Sequence, residues 1–154
     1  MIYGNGGYKV LLLLHLLSVV IGFGPWMLNG LLPRWALSRS AEEGQAVNGA
    51  AYRISNISQF AIYAAFIFGF ATLGSAEHSV IKASQAWVWI SILCWVAIVG
   101  VMHGLALPAQ RQLRDGQGDR AAVTQRLSLA AGIINLLVIV AIVMMVFEPG
   151  NKLL

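Results

Sequence analysis

The stretch LSLAAGIINLLVIVAIVMMVF at residues 127–147 contains no charged side chain and is long enough to cross a bilayer as one α-helix. Hydrocarbon about 30 Å thick requires roughly 20 apolar residues of helix. Towards the N-terminus, residues 86–107, 58–75 and 10–32 form three further apolar runs. The sequence therefore predicts an all-α polytopic membrane protein, in which four transmembrane helices form a bundle and the whole chain, 1–154, is a single transmembrane domain.

The composition excludes most soluble classes of protein. Only 10% of the residues are charged, whereas a soluble domain carries about 25% charged residues to cover its surface. The single cysteine, Cys94, lies inside an apolar run, so an intrachain disulfide and a thiol-disulfide redox motif are both excluded. The isoelectric point is near 9.6, but the basic residues sit in short loops without an aromatic-rich binding fold. We therefore expect the lipid bilayer, and no nucleic acid, as the partner.

The arginines indicate how the helices are oriented. All seven arginines lie in or at the edges of two segments, about 33–57 and about 108–126, whereas the other side of the bundle holds only three lysines. Because cytoplasmic loops carry an excess of Lys and Arg, both segments are predicted to be cytoplasmic loops and both termini to be outside. Pro33 and Pro108, which follow the first and third runs, fit helix ends. The sequence SRSAEEGQAV in the first loop could form a short interfacial helix.

Polar side chains within the spans follow helical spacing. A polar side chain in lipid is costly unless it faces the bundle interior, so such stripes predict which helix faces meet. The stripes are His15, Ser18, Gly22, Trp26 and Asn29 on the first span; Tyr52, Ser55, Asn56, Gln59 and Tyr63 on the second; Gln85, Trp89, Val96, Gly100 and His103 on the third; and Thr124, Ser128, Gly132 and Asn135 on the fourth. The predicted polar bundle interior includes Ser18, Asn29, Gln59, Tyr63 and Asn135. The simplest interpretation is close helix packing, with Gly100-x-x-x-Gly104 as a contact motif.

Two histidines are candidate functional residues, because an ionisable side chain inside a membrane is a functional candidate by default. His15 lies near the outer end of its span and His103 near the inner end of a span that runs the same way. At 1.5 Å per residue their depths differ by roughly 18 Å, so one metal ion or one haem iron cannot bind both within one subunit. His78, in the outer loop, is interpreted as a solvated residue, and no metal site is predicted.

Each of these two histidines has more than one interpretation. His15 could be an axial haem ligand, alone or paired at equal depth with Met144 or Met145, because imidazole and thioether both bind haem iron. It could instead be a structural histidine that donates to Ser18 or to a carbonyl. His103 could be a second ligand, a proton-relay member, a hydrogen-bond partner of a quinone, or a structural residue at a helix end.

The sequence lacks the residues that two kinds of function require: ion transport through a buried carboxylate, and hydrolysis by a catalytic triad. The spans contain no Asp, Glu, Lys or Arg, which argues against an ion pump or a carrier that binds its ion through a buried carboxylate. No serine occurs in a plausible triad with a buried Asp and His. Catalytic residues are therefore not assigned.

Two motifs, LLLLHLLSVVIGFGPW in the first span and VGVMHGLALPAQRQL at the inner end of the third, carry a resemblance. With them the chain resembles an uncharacterised family of bacterial four-helix integral membrane proteins. It is also distantly similar to copper-resistance protein D and to HemJ-type protoporphyrinogen oxidase membrane proteins. HemJ-type proteins carry a haem-ligating histidine early in helix 1, which His15 matches, so the resemblance implies a b-type haem on His15 and a multi-pass protein of the bacterial inner (cytoplasmic) membrane. The basic intramembrane residue expected of HemJ-type enzymes is missing, which argues against porphyrinogen oxidation.

Three functional hypotheses follow. The leading one is a small integral membrane protein that binds haem b or takes part in redox chemistry through His15, with His103 as a second candidate ligand. The second is an accessory or assembly subunit of a larger membrane complex, in which the stripes are docking surfaces. The third is a small-molecule or metal transporter that acts as an oligomer, with both histidines along its path. Because four short spans make a small bundle, a homo-oligomer or partner membrane subunits are expected.

Overall fold

The structure is a computed structural model that describes residues 6–76 and 84–149. In these ranges the chain is helical apart from short turns and contains no strand. The helices are α1 (Gly6–Met27), α2 (Leu32–Leu37), α3 (Ala41–Ser75), α4 (Ala86–Val101), α5 (Leu107–Arg114) and α6 (Arg120–Phe147). A 3-10 turn at Leu28–Gly30 joins α1 to α2, and a π-helical turn at Met102–Ala106 joins α4 to α5.

Four continuous helical stretches are each long and apolar enough to cross a membrane: Gly6–Leu37, Ala41–Ser75, Ala86–Arg114 and Arg120–Phe147. The predicted all-α class with four helices of membrane-spanning length is therefore confirmed for the described residues. The bundle has two ends. We call the end with residues 38–40 and 115–119 the loop end, and the end where α1 begins and α6 finishes the terminal end.

The first predicted loop, 33–57, is mostly helical. Helix α3 begins at Ala41, where Ser40 and Glu43 form a capping box: the Ser40 hydroxyl accepts from the Glu43 N–H (3.3 Å), and the Glu43 carboxylate accepts from the Ser40 N–H (3.4 Å). No proline occurs between this cap and the end of α3 at Ser75. The segment SRSAEEGQAV thus provides the start of α3 instead of a separate interfacial helix, because low hydropathy marks the edge of an apolar run and does not end a helix.

Pro33 and Pro108 do not end their helical stretches, which is a second difference from the sequence-based boundaries. Each proline lies in the first turn of a short helix, Pro33 in α2 and Pro108 in α5. A proline is tolerated there because its missing N–H would have no partner within that helix. The 3-10 turn and the π-helical turn that precede the two prolines change the hydrogen-bond register, and the helical stretch continues beyond each of them.

The long helices pack as two pairs, α1 with α3 and α4 with α6. Helix α1 lies close to α3 at Gly22, where a Cβ would lie 2.9 Å from the backbone nitrogen of Ile62. The two pairs meet through a buried apolar core that includes Trp26, Ile62 and Met102, each 0% exposed. At the loop end, α2 and α5 both pack against α3 and close the bundle.

The outside of the bundle is apolar along most of its length. Val20 on α1, Ile57 on α3 and Leu129 on α6 are 69%, 71% and 64% exposed. Monomeric soluble proteins rarely expose continuous apolar surface of this kind. The surface is suited to contact with lipid.

Candidate functional site

A cavity lies between the two helix pairs on the side of the terminal end. Its volume is about 220 Å³, and α1, α3, α4 and α6 all contribute to its wall. Here α3 and α4 are bridged by large side chains: the Phe66 and Trp95 rings stack with centroids 4.0 Å apart. Three wall residues, Phe70, Ile142 and Met145, are 46%, 45% and 40% exposed. The cavity is therefore open between helices and is not sealed.

The wall of the cavity is mainly aromatic and aliphatic. Phe23 and Trp87, both buried, are part of it. Two hydroxyl groups in the wall bond within their own helices: Thr72 donates to the Phe68 carbonyl (2.7 Å) and Ser91 to the Trp87 carbonyl (2.8 Å). Both hydroxyls therefore already donate a hydrogen bond, and the wall does not need a polar ligand to satisfy these donors.

His15 lies in this wall and is held in one tautomer. Its Nδ1 is 2.7 Å from the backbone carbonyl oxygen of Ala65. Because a carbonyl oxygen can only accept, Nδ1 must carry the hydrogen, and Nε2 then has a free lone pair. Nε2 has no hydrogen-bond partner within residues 6–76 and 84–149. A histidine that binds a metal normally donates its other ring N–H to a carbonyl or carboxylate in this way.

Gly69, on α3, makes room for the His15 ring. A Cβ at position 69 would lie 3.0 Å from His15 Cε1 and 3.1 Å from Nδ1, closer than ordinary van der Waals contact. Ala65 and Gly69 are four residues apart, so both small residues lie on the same face of α3, towards α1. Neither Ala65 nor Gly69 was predicted from the sequence. A glycine in the middle of an apolar helix, where it is destabilising, was the available signal.

One of the two candidate methionines is part of the cavity wall, and the other packs beside it. Met145 is in the cavity wall with His15. Met144 packs against a small buried cluster at the terminal end, which contains Tyr8, Trp87 and Val88. The structure thus brings Met145, and not Met144, into the wall of the cavity that His15 lines.

His103 lies outside this cavity. It belongs to the π-helical turn, is exposed, and its Nε2 is 2.6 Å from the Tyr63 hydroxyl oxygen. The predicted inner face of the third span was wrong, because Trp89 and Val96 on the same face are 59% and 55% exposed. The inner face of α4 instead presents Trp87, Val88, Ser91, Cys94 and Ile98. His78 lies outside the described residues.

The other predicted interior residues divide into two groups. Ser18, Asn29 and Gln59 are buried, whereas Tyr63 and Asn135 are only partly buried. Asn29 donates to the Ser55 hydroxyl (3.1 Å), and so does the amide of Gln110 (3.0 Å), which the sequence analysis missed. This polar cluster joins α3 to α5 and to the 3-10 turn that follows α1.

The cavity wall contains two side chains of kinds that can bind haem iron, His15 and Met145. Among the described residues, no three His, Cys, Asp or Glu side chains are grouped so that they could hold an ion. A haem needs only one or two axial ligands from the protein, and His15 and Met145 are of the right kinds. The enclosed volume of about 220 Å³ is below the roughly 300–1,000 Å³ of pockets that enclose a drug-sized ligand. A macrocycle therefore fits only if part of it occupies the opening between helices.

Comparison of the chain with known protein families, with curated protein sequences and with solved structures found no match.

Proposed function

We propose that the protein binds a b-type haem within the bacterial inner membrane, with His15 as the axial ligand. One observation carries the proposal: the Nδ1–H of His15 bonds to the Ala65 carbonyl, and Nε2 faces no hydrogen-bond partner in the described part of the chain, in the wall of an apolar cavity. This is the arrangement that proteins use to fix the tautomer and orientation of a metal-binding imidazole. A lone imidazole suits haem because the macrocycle supplies the remaining equatorial ligands.

The proposed topology places both termini outside and the loop end in the cytoplasm. Arginines collect at the loop end, where Arg120 donates to the Ala36 carbonyl (2.9 Å) and Arg34 to the Ser128 hydroxyl (3.2 Å). The topology is tested with Gln117→Cys in a Cys94→Ser background, because Gln117 is exposed between α5 and α6. A membrane-impermeant maleimide should label this cysteine in inverted vesicles and not in intact spheroplasts. Labelling in intact spheroplasts would show the opposite orientation, with the loop end outside.

Five residues of the cavity wall have a task in this proposal. Haem, when bound, would supply one-electron redox chemistry. His15 would hold the iron through Nε2, the Ala65 carbonyl accepts the Nδ1 hydrogen bond, and Phe66 and Trp95 offer apolar ring faces. Met145, in the same wall, would be a second protein ligand.

The experiment compares wild-type protein with His15→Ala and His103→Ala. All three are expressed under the same haem-replete conditions and purified in detergent, and their absorption spectra are recorded oxidised and after dithionite. Wild type and His103→Ala should show a Soret band and a reduced α-band, and His15→Ala should not. Because both variants remove one imidazole from a span, His103→Ala controls for general effects on folding.

Two results would count against the proposal. A featureless spectrum for wild type would refute haem binding and favour a role as a complex subunit or as a transporter. Equal bands in all three proteins would show that haem binds without His15.

A further inference from the structure

A hydrogen-bonded pair of side chains, Tyr63 on α3 and His103 in the π-helical turn, lies at the outside of the bundle. The Tyr63 hydroxyl oxygen is 2.6 Å from His103 Nε2, and the two rings are within 8° of parallel. His103 is exposed, and its Nδ1 has no partner within the described ranges. If the surface there faces lipid, an unpaired ring nitrogen is costly, since hydrocarbon offers no hydrogen bonds. A ligand that bonds to Nδ1 would remove this cost.

The pair can bond to either a carbonyl or a hydroxyl group. If the tyrosine O–H donates to Nε2, then Nδ1 carries a hydrogen and can donate to a carbonyl oxygen. If instead Nε2–H donates to the tyrosine oxygen, Nδ1 is an acceptor and can receive a hydrogen bond from a hydroxyl group. The two arrangements differ only in the positions of protons, and the pair is uncharged in both. They match the carbonyl and hydroxyl forms of one ring-bound oxygen, as in a quinone and its quinol.

The surface beside His103 has room for a flat ring. Gly100 and Gly104 are exposed, and a Cβ at either position would meet no atom within 4 Å. The predicted contact motif Gly100-x-x-x-Gly104 is therefore not used for packing inside this chain. Because π-helical turns occur frequently at functional sites, the turn that carries His103 and Gly104 is a suitable place for a ligand.

We propose that His103, oriented by Tyr63, binds the oxygen of a lipid-soluble quinone through Nδ1; the quinone enters sideways from the membrane and lies against Gly100 and Gly104. The proposed quinone site lies next to the cavity that His15 lines, and aromatic rings connect the two. The Tyr63 and Trp95 rings meet edge to face with centroids 6.5 Å apart, and Trp95 is in the cavity wall. Quinone binding does not depend on haem, because Tyr63, His103 and the two glycines lie on α3, α4 or the π-helical turn, whereas His15 and Met145 lie on α1 and α6.

The test measures equilibrium binding of a tritiated decyl-benzoquinone to the protein in lipid nanodiscs, corrected for partition into empty nanodiscs. Wild type should bind saturably. His103→Leu should weaken binding roughly five- to tenfold, the loss that one hydrogen bond accounts for. Tyr63→Phe, which removes only the group that orients His103, should weaken binding by a smaller factor. His103→Gln retains a donor and an acceptor and should bind more tightly than His103→Leu. The matched control is Leu93→Ala, which shortens an exposed side chain of α4 outside both sites and should bind as wild type does.

Gly104→Leu provides a variant that should fold normally, because the position is open. It should abolish saturable binding by filling the surface beside His103. Non-saturable binding to wild type, or equal affinity in His103→Leu and wild type, would overturn the proposal. The proposal would also be overturned if Gly104→Leu changed the protein from a dimer to a monomer and still bound quinone. The face with Gly100 and Gly104 would then be a contact between two copies of the chain.

Discussion

Replacement of Gly69 by alanine tests whether the His15 ring is held for ligand binding. A Cβ at position 69 would lie 3.0 Å from His15 Cε1 and 3.1 Å from Nδ1, whereas ordinary contacts are 3.4–4 Å. The ring must therefore move by a few tenths of an ångström. The movement acts on the 2.7 Å bond from Nδ1 to the Ala65 carbonyl, which fixes the direction of Nε2.

The expected size of the effect follows from the bond that is disturbed. Loss of a partner that orients a metal-binding histidine typically reduces metal affinity about 10- to 100-fold. Since Gly69→Ala weakens this bond without removing the carbonyl, we expect a loss of haem affinity of roughly tenfold. Overall stability changes less: overpacking costs about 1–3 kcal/mol, and alanine recovers up to about 1 kcal/mol of helix propensity. The variant should fold.

The assay is a titration of apo-protein with haem, followed by the Soret absorbance. Gly74→Ala is the matched control, because it makes the same change on the same helix where a Cβ would meet nothing within 4 Å. Gly74→Ala should bind haem as wild type does. Equal haem affinity in wild type, Gly69→Ala and Gly74→Ala would refute the role given to the His15 geometry.

Three further predictions concern the fold. Gly22→Ala should lower the unfolding free energy by about 2 kcal/mol in thermal unfolding, because its Cβ would lie 2.9 Å from the backbone nitrogen of Ile62, whereas Gly100→Ala, in open space, should not. Ser55→Ala should cost about 2–4 kcal/mol in the same assay, since it leaves two buried amide groups without their shared partner. The hydrogen bond from Arg114 lowers the pKa of the Asp115 carboxyl below its ordinary value. Wild type should therefore have a higher melting temperature than Asp115→Asn at pH 7, and this difference should shrink as the pH falls through the lowered pKa; a difference that does not shrink on acidification would contradict the assignment.

The four long apolar helices were predictable because an uncharged run of about 20 apolar residues is a strong signal in a sequence. Each apolar run corresponds to part of a long helix in the structure, and the arginines between runs fall near the loop end. Helix limits were less predictable. Hydropathy measures which residues suit lipid, whereas the start of α3 depends on the Ser40–Glu43 capping box, and the passage through Pro108 depends on a π-helical turn.

His15 could be predicted as a candidate residue from the sequence, and its surroundings could not. His15 was identified because an imidazole is conspicuous in an apolar span, but its carbonyl partner is a backbone atom of α3, which no side-chain pattern reveals. The face of α4 was assigned from His103 and Trp89, which are both exposed. In a membrane, polar residues normally mark the interior, and this rule fails where a polar side chain such as His103 is paired at the outer surface.

The central claim, that Nε2 of His15 binds haem iron, is tested most directly by pulsed electron paramagnetic resonance. The measurement uses untagged ferric protein with ¹⁵N-labelled histidine and the substitutions His78→Gln and His103→Gln, so that His15 is the only histidine left. A strongly coupled ¹⁵N nucleus, from an imidazole bound to the iron, is the predicted result. A ferric haem signal without ¹⁵N coupling, or no haem signal at all, would contradict the claim.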